Sequence, residues 1–552
     1  MAKKLYIGAA LALMPAAMMA QSAIDAYNLA PQELRGTARF MSMGGAFTAL
    51  GGDLSTLTQN PAGIGVYRGS DIGFTFDVNM MNSKTSGPGV TGGTSMSQTH
   101  VDVNNFGYVG TFNFGGTSGS TLSWGVSYNR QASFHRRYRA SGMQLNTSLS
   151  NYITSFTDGV NPEDLKFNDD TKFNPYQNNA PDAPSWLSVL AYNSGMITPV
   201  TGYDDKTGQM FETDMYNGLW QYPVDANPQI RPTTGTAGMN VDEQGYIDEY
   251  SINLGGSVSN VFYWGAALGI TDLSFTQNAW YGESLEHANV PANADMGITE
   301  GNGGFDLYNR KHISGSGVNA KFGVILKPIN ELRFGVAVHT PTYWSLTTSY
   351  DAATSFQYSS GVKGDEETDL AVYDWNLHSP WKLMFGLAGV IGGRAIISAD
   401  YEYDAYGDMK TKDDYGAEYD YFNQDIKDYF KASSTFRIGA EFRVTPQFSV
   451  RAGYSYTGTQ VKPEVRDNDV EVYTSGTNVA YTFDNSIQNY SLGIGYRYKG
   501  FYVDAAYVLR HRSSEYHAFT SFTEYDGYWT DGPQVKVTDN NSNLVFTLGY
   551  KF

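Results

Sequence analysis

The 552-residue sequence predicts an all-β fold, a 14-stranded antiparallel transmembrane β-barrel with an N-terminal plug segment. Three observations carry the prediction. The last ten residues alternate, with Leu544, Phe546, Leu548, Tyr550 and Phe552 on one parity and Asn543, Thr547, Gly549 and Lys551 on the other. A strand's side-chain period of two puts the first set on one face, suited to lipid, and the second on a face suited to a wet lumen. Similar alternating segments recur along the chain, joined in turn by tight turns and by long connections. Finally, the chain opens with Lys3-Lys4, an apolar run from Leu5 to Met19 and a small residue at Ala20, a secretory signal over residues 1–20. That run is too short to span a bilayer as a helix, which needs about 20 apolar residues.

Composition agrees with this class. The chain has 60 Gly, 41 Tyr, 30 Phe and 9 Trp, yet only 41% hydrophobic residues, as expected where every second residue faces water. With no cysteine there is neither a disulfide framework nor a lipid-anchored N-terminal Cys. A net charge of −19 argues against nucleic acid as a partner.

The first strand places Ile72, Phe74, Phe76, Val78 and Met80 outward and Asp71, Gly73, Thr75, Asp77 and Asn79 inward. The second runs over 105–114 and the third over 121–130, joined by a turn at 115–120. Further pairs follow at 249–258 with 261–273, 317–327 with 331–344, 380–390 with 394–406, 435–444 with 448–456, and 489–498 with 501–510. Residues 543–552 close the set, so the barrel domain is 71–552. Connections on the opposite side are long, at 81–104, 131–248, 274–316, 345–379, 407–434, 457–488 and 511–542, and are expected as extracellular loops. Lys321, Arg333, Arg394, Asp400, Glu402, Arg437, Glu441, Arg443, Arg451, Arg497, Asp504 and Arg510 are expected on inward faces. On the lipid face a charge costs up to about 2–4 kcal/mol, whereas in the lumen it can be hydrated or paired. A three-residue turn at Thr445-Pro446-Gln447 would set Glu441 opposite Arg451. Trp344, Tyr401, Tyr403, Tyr454, Tyr456, Tyr496 and Tyr498 are expected in interfacial aromatic girdles.

Residues 21–70 lack strand alternation and are dense in small residues. Short helices are expected over Arg39–Leu50, Asp53 can cap a turn through Leu57, and Asn60-Pro61 would end it. A barrel this wide leaks if empty, so the segment reads as a plug, with a periplasmic adaptor as the alternative.

The stretch Gly44-Gly45-Ala46-Phe47-Thr48-Ala49-Leu50-Gly51-Gly52-Asp53, followed by Asn60-Pro61-Ala62-Gly63-Ile64, resembles the N-terminal hatch signature of FadL-type outer-membrane transporters of long-chain fatty acids and aromatic hydrocarbons. The resemblance implies a hatch over residues 21–70 of a fourteen-strand barrel in a Gram-negative outer membrane. It implies passive passage of a hydrophobic small molecule, most simply a long-chain fatty acid. Gly44, Gly45, Asn60, Pro61 and Ala62 would be the hatch and gating residues, although glycines there can equally serve tight backbone turns. Membrane lipid and lipopolysaccharide would surround a monomer. Alternatives are a loop-based surface binding protein, such as an adhesin or haem receptor, and a general diffusion porin.

No catalytic, cofactor or metal-binding motif is found. The eight histidines show no metal-ligand spacing, and the glycines at 44–52 have neither a preceding strand nor a following Lys, which excludes a phosphate loop. Acidic clusters at 365–367, 413–414 and 467–469 are expected as solvated loop faces rather than calcium sites.

Overall fold

The computed structural model describes residues 22–30, 33–91, 95–114, 120–178, 180, 183–222, 231–293, 297–524 and 527–552. The expected signal at 1–20 and most of the 115–120 turn lie outside the described residues.

Nineteen hydrogen-bonded segments form one sheet that makes 14 antiparallel crossings. We number these β1 (Asp71–Ser86), β2 (Ser95–Asn113), β3 (Thr121–Ser133 continued by Arg136–Gln144), β4 (Thr234–Val258), β5 (Phe262–Pro291), β6 (Ile298–Ile329) and β7 (Leu332–His339 continued by Tyr343–Tyr358). Then come β8 (Ala371–His378 continued by Lys382–Ile391), β9 (Ala395–Asp404), β10 (Ser433–Arg443), β11 (Phe448–Gly458), β12 (Tyr481–Tyr498), β13 (Phe501–His517) and β14 (Gln534–Lys551). β1 pairs with β14 from Asp71↔Lys551 to Ser86↔Lys536, which closes the cylinder. Closure leaves the first and last strands no free edge to template aggregation.

The terminal strand alternates as expected: Leu544, Phe546, Leu548 and Tyr550 are exposed, while Asn543 and Thr547 are buried. Val545 breaks the polar-inward rule, and it does so because it packs with Ala38, Phe40 and Phe47 of the N-terminal segment.

Three expectations are corrected. Much of 81–104, 274–316 and 345–379 is strand rather than loop, and β5 and β6 run 30 and 32 residues. Trp344 is not a girdle residue but is buried inside. Its strand is interrupted at Thr340-Pro341-Thr342, and the outward parity shifts from Phe334 and Val336 below the break to Tyr343 above it. One irregular step moves every later side chain to the other face. β8 makes the same switch at Ser379-Pro380-Trp381, so the neighbouring strands stay in step. Asp53 is not the N-cap of the helix it precedes; Ser55 is, and Asp53 Oδ1 accepts from Ser55 N at 3.0 Å.

The described residues of 22–70 fold inside the barrel as α1 (Ala23–Leu29), α2 (Ala38–Ser42), α3 (Thr56–Gln59) and a 3-10 turn at Pro61–Val66. Thr37 caps α2 by accepting from Phe40 N, and Asn60 closes α3, so Pro61 starts a new turn.

Candidate functional site

The lumen is filled in three tiers. At the short-turn end, α2 and the loop after it pack on the inward faces of the strands, through Phe40, Met41, Met43, Phe47 and Leu50 against Ala388, Ala506, Val508 and Val545, and Leu57 of α3 packs with Val109. In the middle, α1 sits among Phe275, Ile313, Trp344, Leu346, Trp375, Leu377, Phe430 and Phe483. Over the far end, helices Leu149–Thr157 and Trp186–Asn193 from the 131–248 connection pack on Tyr138, Met239, Tyr281, Phe305, Phe519 and Phe522 as an apolar cap.

The N-terminal segment and the wall meet backbone to side chain. Thr48 N donates to Asp400 Oδ2 at 2.8 Å, Ala38 N to Thr547 Oγ1 at 2.7 Å, Arg333 Nη1 to Leu50 O at 2.6 Å, and the His339 ring pairs with Gln59 O at 2.8 Å. Close approach is possible because inward positions on the facing strands are glycines. A Cβ on Gly323 would overlap Asn60 Oδ1, one on Gly335 would overlap Thr48 O, and one on Gly439 would overlap Met43 O. On Gly265 it would overlap Pro61 O and lie 2.6 Å from Ala62 N. These wall glycines went unnoticed in the sequence. Their signal was there, as single glycines at inward parity in otherwise regular strands, which mark a close backbone approach.

The five residues singled out by the motif lie on this seam. Gly44 and Gly45 have φ of 63° and 76°, and a Cβ on Gly44 would fall 2.8 Å from Tyr454 O on β11. Both the left-handed backbone and the missing side chain are therefore used there. Asn60 ties two loops, with Nδ2 donating to Thr48 O at 2.6 Å and Oδ1 accepting from Ala62 N at 3.1 Å. Ala62 packs against Tyr263 and Ile325.

Inward charges are paired into a lattice that crosses the seam. Arg39 of α2 donates Nε to Glu441 Oε2 at 2.9 Å, and Arg451 Nε reaches the same oxygen at 2.6 Å. Arg451 Nη1 continues to Asp504 Oδ1 at 2.5 Å, joining β10, β11 and β13. Arg35 bridges Glu33 and Asp102, and Arg130 links Asp102 to Asp248. Lys382 and Arg437 flank Glu402. A cavity of about 100 Å³ lies in this polar band, lined in part by Arg35, Gln59, Lys382, Glu402, Arg437 and Arg510. That is below the roughly 300–1,000 Å³ of typical ligand pockets.

Ser133 contacts two histidines. Ser133 Oγ lies 3.0 Å from His135 Nδ1 and 3.4 Å from His100 Nε2, and Asp102 Oδ2 approaches that same His100 nitrogen at 3.2 Å. A relay needs the carboxylate on the far ring nitrogen, so this is not a triad. Among the described residues, no group of three or more His, Asp or Glu is placed to hold a metal ion.

A Pseudomonas aeruginosa FadL homologue of known structure aligns over 95% of this chain and 100% of its own, at 13% identity and a TM-score of 0.49. The P. putida toluene transporter TodX aligns over 94% and 99% at 12% identity and a TM-score of 0.45. The Ralstonia pickettii toluene transporter TbuX does so over 94% and 99% at 14% and 0.43. No protein-family model and no curated protein matches the chain. At these identities no residue's role carries over from one chain to the other.

Proposed function

We propose that this chain is an outer-membrane channel through which hydrophobic small molecules, long-chain fatty acids foremost, pass without energy input. Residues 21–70 act as its plug, and it works as a monomer in contact with membrane lipid and lipopolysaccharide. The observation that carries this reading is the tiered lumen. An apolar cap and an apolar middle tier lie in series above a seam where the plug is held by hydrogen bonds and ion pairs as well as by apolar packing.

The outward face supports a membrane setting, because Ile252, Leu268, Phe322, Phe385, Ile438, Leu492 and Leu548 are all exposed. A contiguous exposed apolar band of this kind is tolerated in lipid and not in water. Entry through the cap and release past Gly44, Gly45, Asn60, Pro61 and Ala62 would follow a shift of the plug along its seam.

Uptake of labelled oleate by cells with and without the gene tests the reading, with loss of uptake on deletion as the expected result. Liposome swelling in sugars separates it from a general porin. The filled lumen weighs against free passage, and an intact protein that admits sugars readily would overturn the plug.

A further inference from the structure

The short-turn end carries a charge opposite to that of the whole chain. Against a net charge of −19, Lys327 of β6, Arg333 of β7, Arg394 just before β9, Arg443 at the end of β10, Arg497 of β12 and Lys551 of β14 all fall at that end. Each lies on the inward parity of its strand, in phase with buried residues such as Ile325, Glu441 and Thr547. Arg394, Arg443 and Arg497 are exposed and the other three are half-buried.

Among the described residues, Lys551 alone of the six is paired with a carboxylate, Asp71 at 3.4 Å. Lys327 Nζ reaches only the neutral Asn330 Oδ1 at 3.3 Å, and Arg333 donates to the carbonyl Leu50 O of the N-terminal segment. Deeper in the lumen the pattern reverses, since Arg39, Lys321, Arg437 and Arg451 are each paired with a carboxylate. The turns at 259–260, 328–330, 391–393, 445–447 and 499–500 contain no Asp or Glu. Ala395 is opposite Phe442, and Arg443 N donates to Arg394 O at 2.8 Å, so Arg394 and Arg443 are cross-strand neighbours of like charge. That arrangement destabilises a sheet, and an anion brought from outside relieves it.

We propose that this cationic ring is a docking surface for an acidic soluble protein that takes over the molecule leaving the barrel. This rests on the channel reading above, under which the short-turn end faces the periplasm, and adds the partner met there.

The span of the ring selects the kind of partner. Its members come from six strands between β6 and β14, and neighbouring strands lie about 4.7–4.9 Å apart. A phosphate ion or a lone carboxylate can bridge two neighbours, whereas a protein face with several Asp and Glu side chains can meet the whole ring. Inward parity sets the ring apart from a lipid contact, because phospholipid lies outside the wall, beside the exposed outward Phe442 and Tyr496. Charge also suits the task. A hydrophobic molecule leaving the mouth enters water, and a carrier steered there by opposite charge arrives faster than a neutral one.

The first test is binding of fluorescent poly-L-glutamate to the full-length protein in nanodiscs of zwitterionic lipid, with heat-modifiable gel mobility confirming a folded barrel. The triple reversal Arg394→Glu, Arg443→Glu and Arg497→Glu is expected to weaken binding about tenfold or more. The matched reversal Lys172→Glu, Lys206→Glu and Lys363→Glu, at exposed positions in the long connections, is expected to leave it unchanged. Equal binding by wild type and the first variant would overturn the proposal, as would equal weakening in both variants. Displacement by an equal concentration of inorganic phosphate would overturn it in favour of a small-anion site. Anionic phospholipid that co-purifies with wild type and is lost in the first variant would overturn it in favour of a lipid contact.

The second test is made in cells, with a photo-crosslinking residue at Gln447, exposed in the turn beside Arg443. It is expected to trap a soluble protein of acidic isoelectric point in wild type and none in the triple reversal of the ring. A trapped protein of basic isoelectric point, or no adduct in wild type, would overturn the proposal. If both tests fail while deletion of the gene still abolishes oleate uptake, the channel reading stands and the docking surface falls. If both succeed while uptake survives deletion, the docking surface stands and the cargo assigned to it falls.

Discussion

Glu441 and Arg451 face each other across the β10–β11 ladder, and the carboxylate they share with Arg39 fastens the inner segment to the wall. Both arginines converge on one oxygen, so the carboxylate is the keystone of the three. Glu441→Gln leaves two buried guanidinium groups short of an anion, a change of the class that costs about 3–5 kcal/mol. Arg451 retains Asp504, so the loss falls chiefly on Arg39. The expected outcome is a folded barrel with a loosened plug, seen as raised single-channel conductance in planar bilayers. Conductance equal to wild type would show that the ion pair does not hold the plug.

The wall glycines make a steric prediction. Gly323→Ala puts a methyl group on Asn60 Oδ1 and should displace the plug. Gly389→Ala is a matched control, since its nearest neighbour is Glu331 O at 3.9 Å. Accessibility of a cysteine introduced at position 48 to a periplasmic-side thiol reagent should rise in the first variant and stay unchanged in the second.

Asn60→Ala removes the partner of Thr48 O and Ala62 N, at a cost of about 1–3 kcal/mol for each buried group left unpaired. Pro61→Ala frees the φ of the residue that starts the following turn. Both variants should lower oleate uptake while the barrel still assembles, as read by heat-modifiable mobility. A barrel that fails to assemble would assign these residues to folding alone.

Two acidic side chains in the long connections carry a pH prediction. Burial pushes Asp425 up to about 7, helped by Asp428, and burial pushes Glu471 up to about 7 despite a hydrogen bond from Tyr473. A raised carboxyl holds its proton in the packed state, so packing is favoured at low pH. That stability is lost as pH rises from the ordinary carboxylate range through about 7. A spin label at Gln424, on the helix Asp420–Tyr429, should gain mobility between pH 5 and pH 8, by order of magnitude the span that includes both pKa values. The double variant Asp425→Asn with Glu471→Gln should flatten the profile.

Much of the barrel was legible because alternation is a local property. Leu544 to Phe552 or Ile72 to Met80 declare their face without reference to any neighbour. The Glu441–Arg451 pairing was legible too, since a short turn fixes the register of the strands it joins. Legibility failed where a single irregular step altered the count, as at Thr340-Pro341-Thr342, and Trp344 was assigned the wrong face. It failed again for 274–316, where the apolar residues, Phe275, Tyr281, Phe305, Leu307 and Ile313 among them, face inward instead of outward. The motif located Asn60 and Gly44, whereas the wall glycines that receive them lie more than 250 residues away in sequence, as Gly323 does from Asn60. The Asp25–Lys311 contact spans 286 residues and rests on a helix of one lone charge, a pattern that no local rule distinguishes from a surface turn.

The lengths of β5 and β6 have a consequence for where a molecule first meets this protein. Thirty and 32 residues at about 3.3 Å each make roughly 100 Å of strand, or about 70 Å of height at a tilt near 45°. The lipid-facing band takes up only about 25 Å of that. On the channel reading proposed above, the staves would rise as a chimney well clear of the bilayer, so that a solute would meet the capped mouth before it met the membrane.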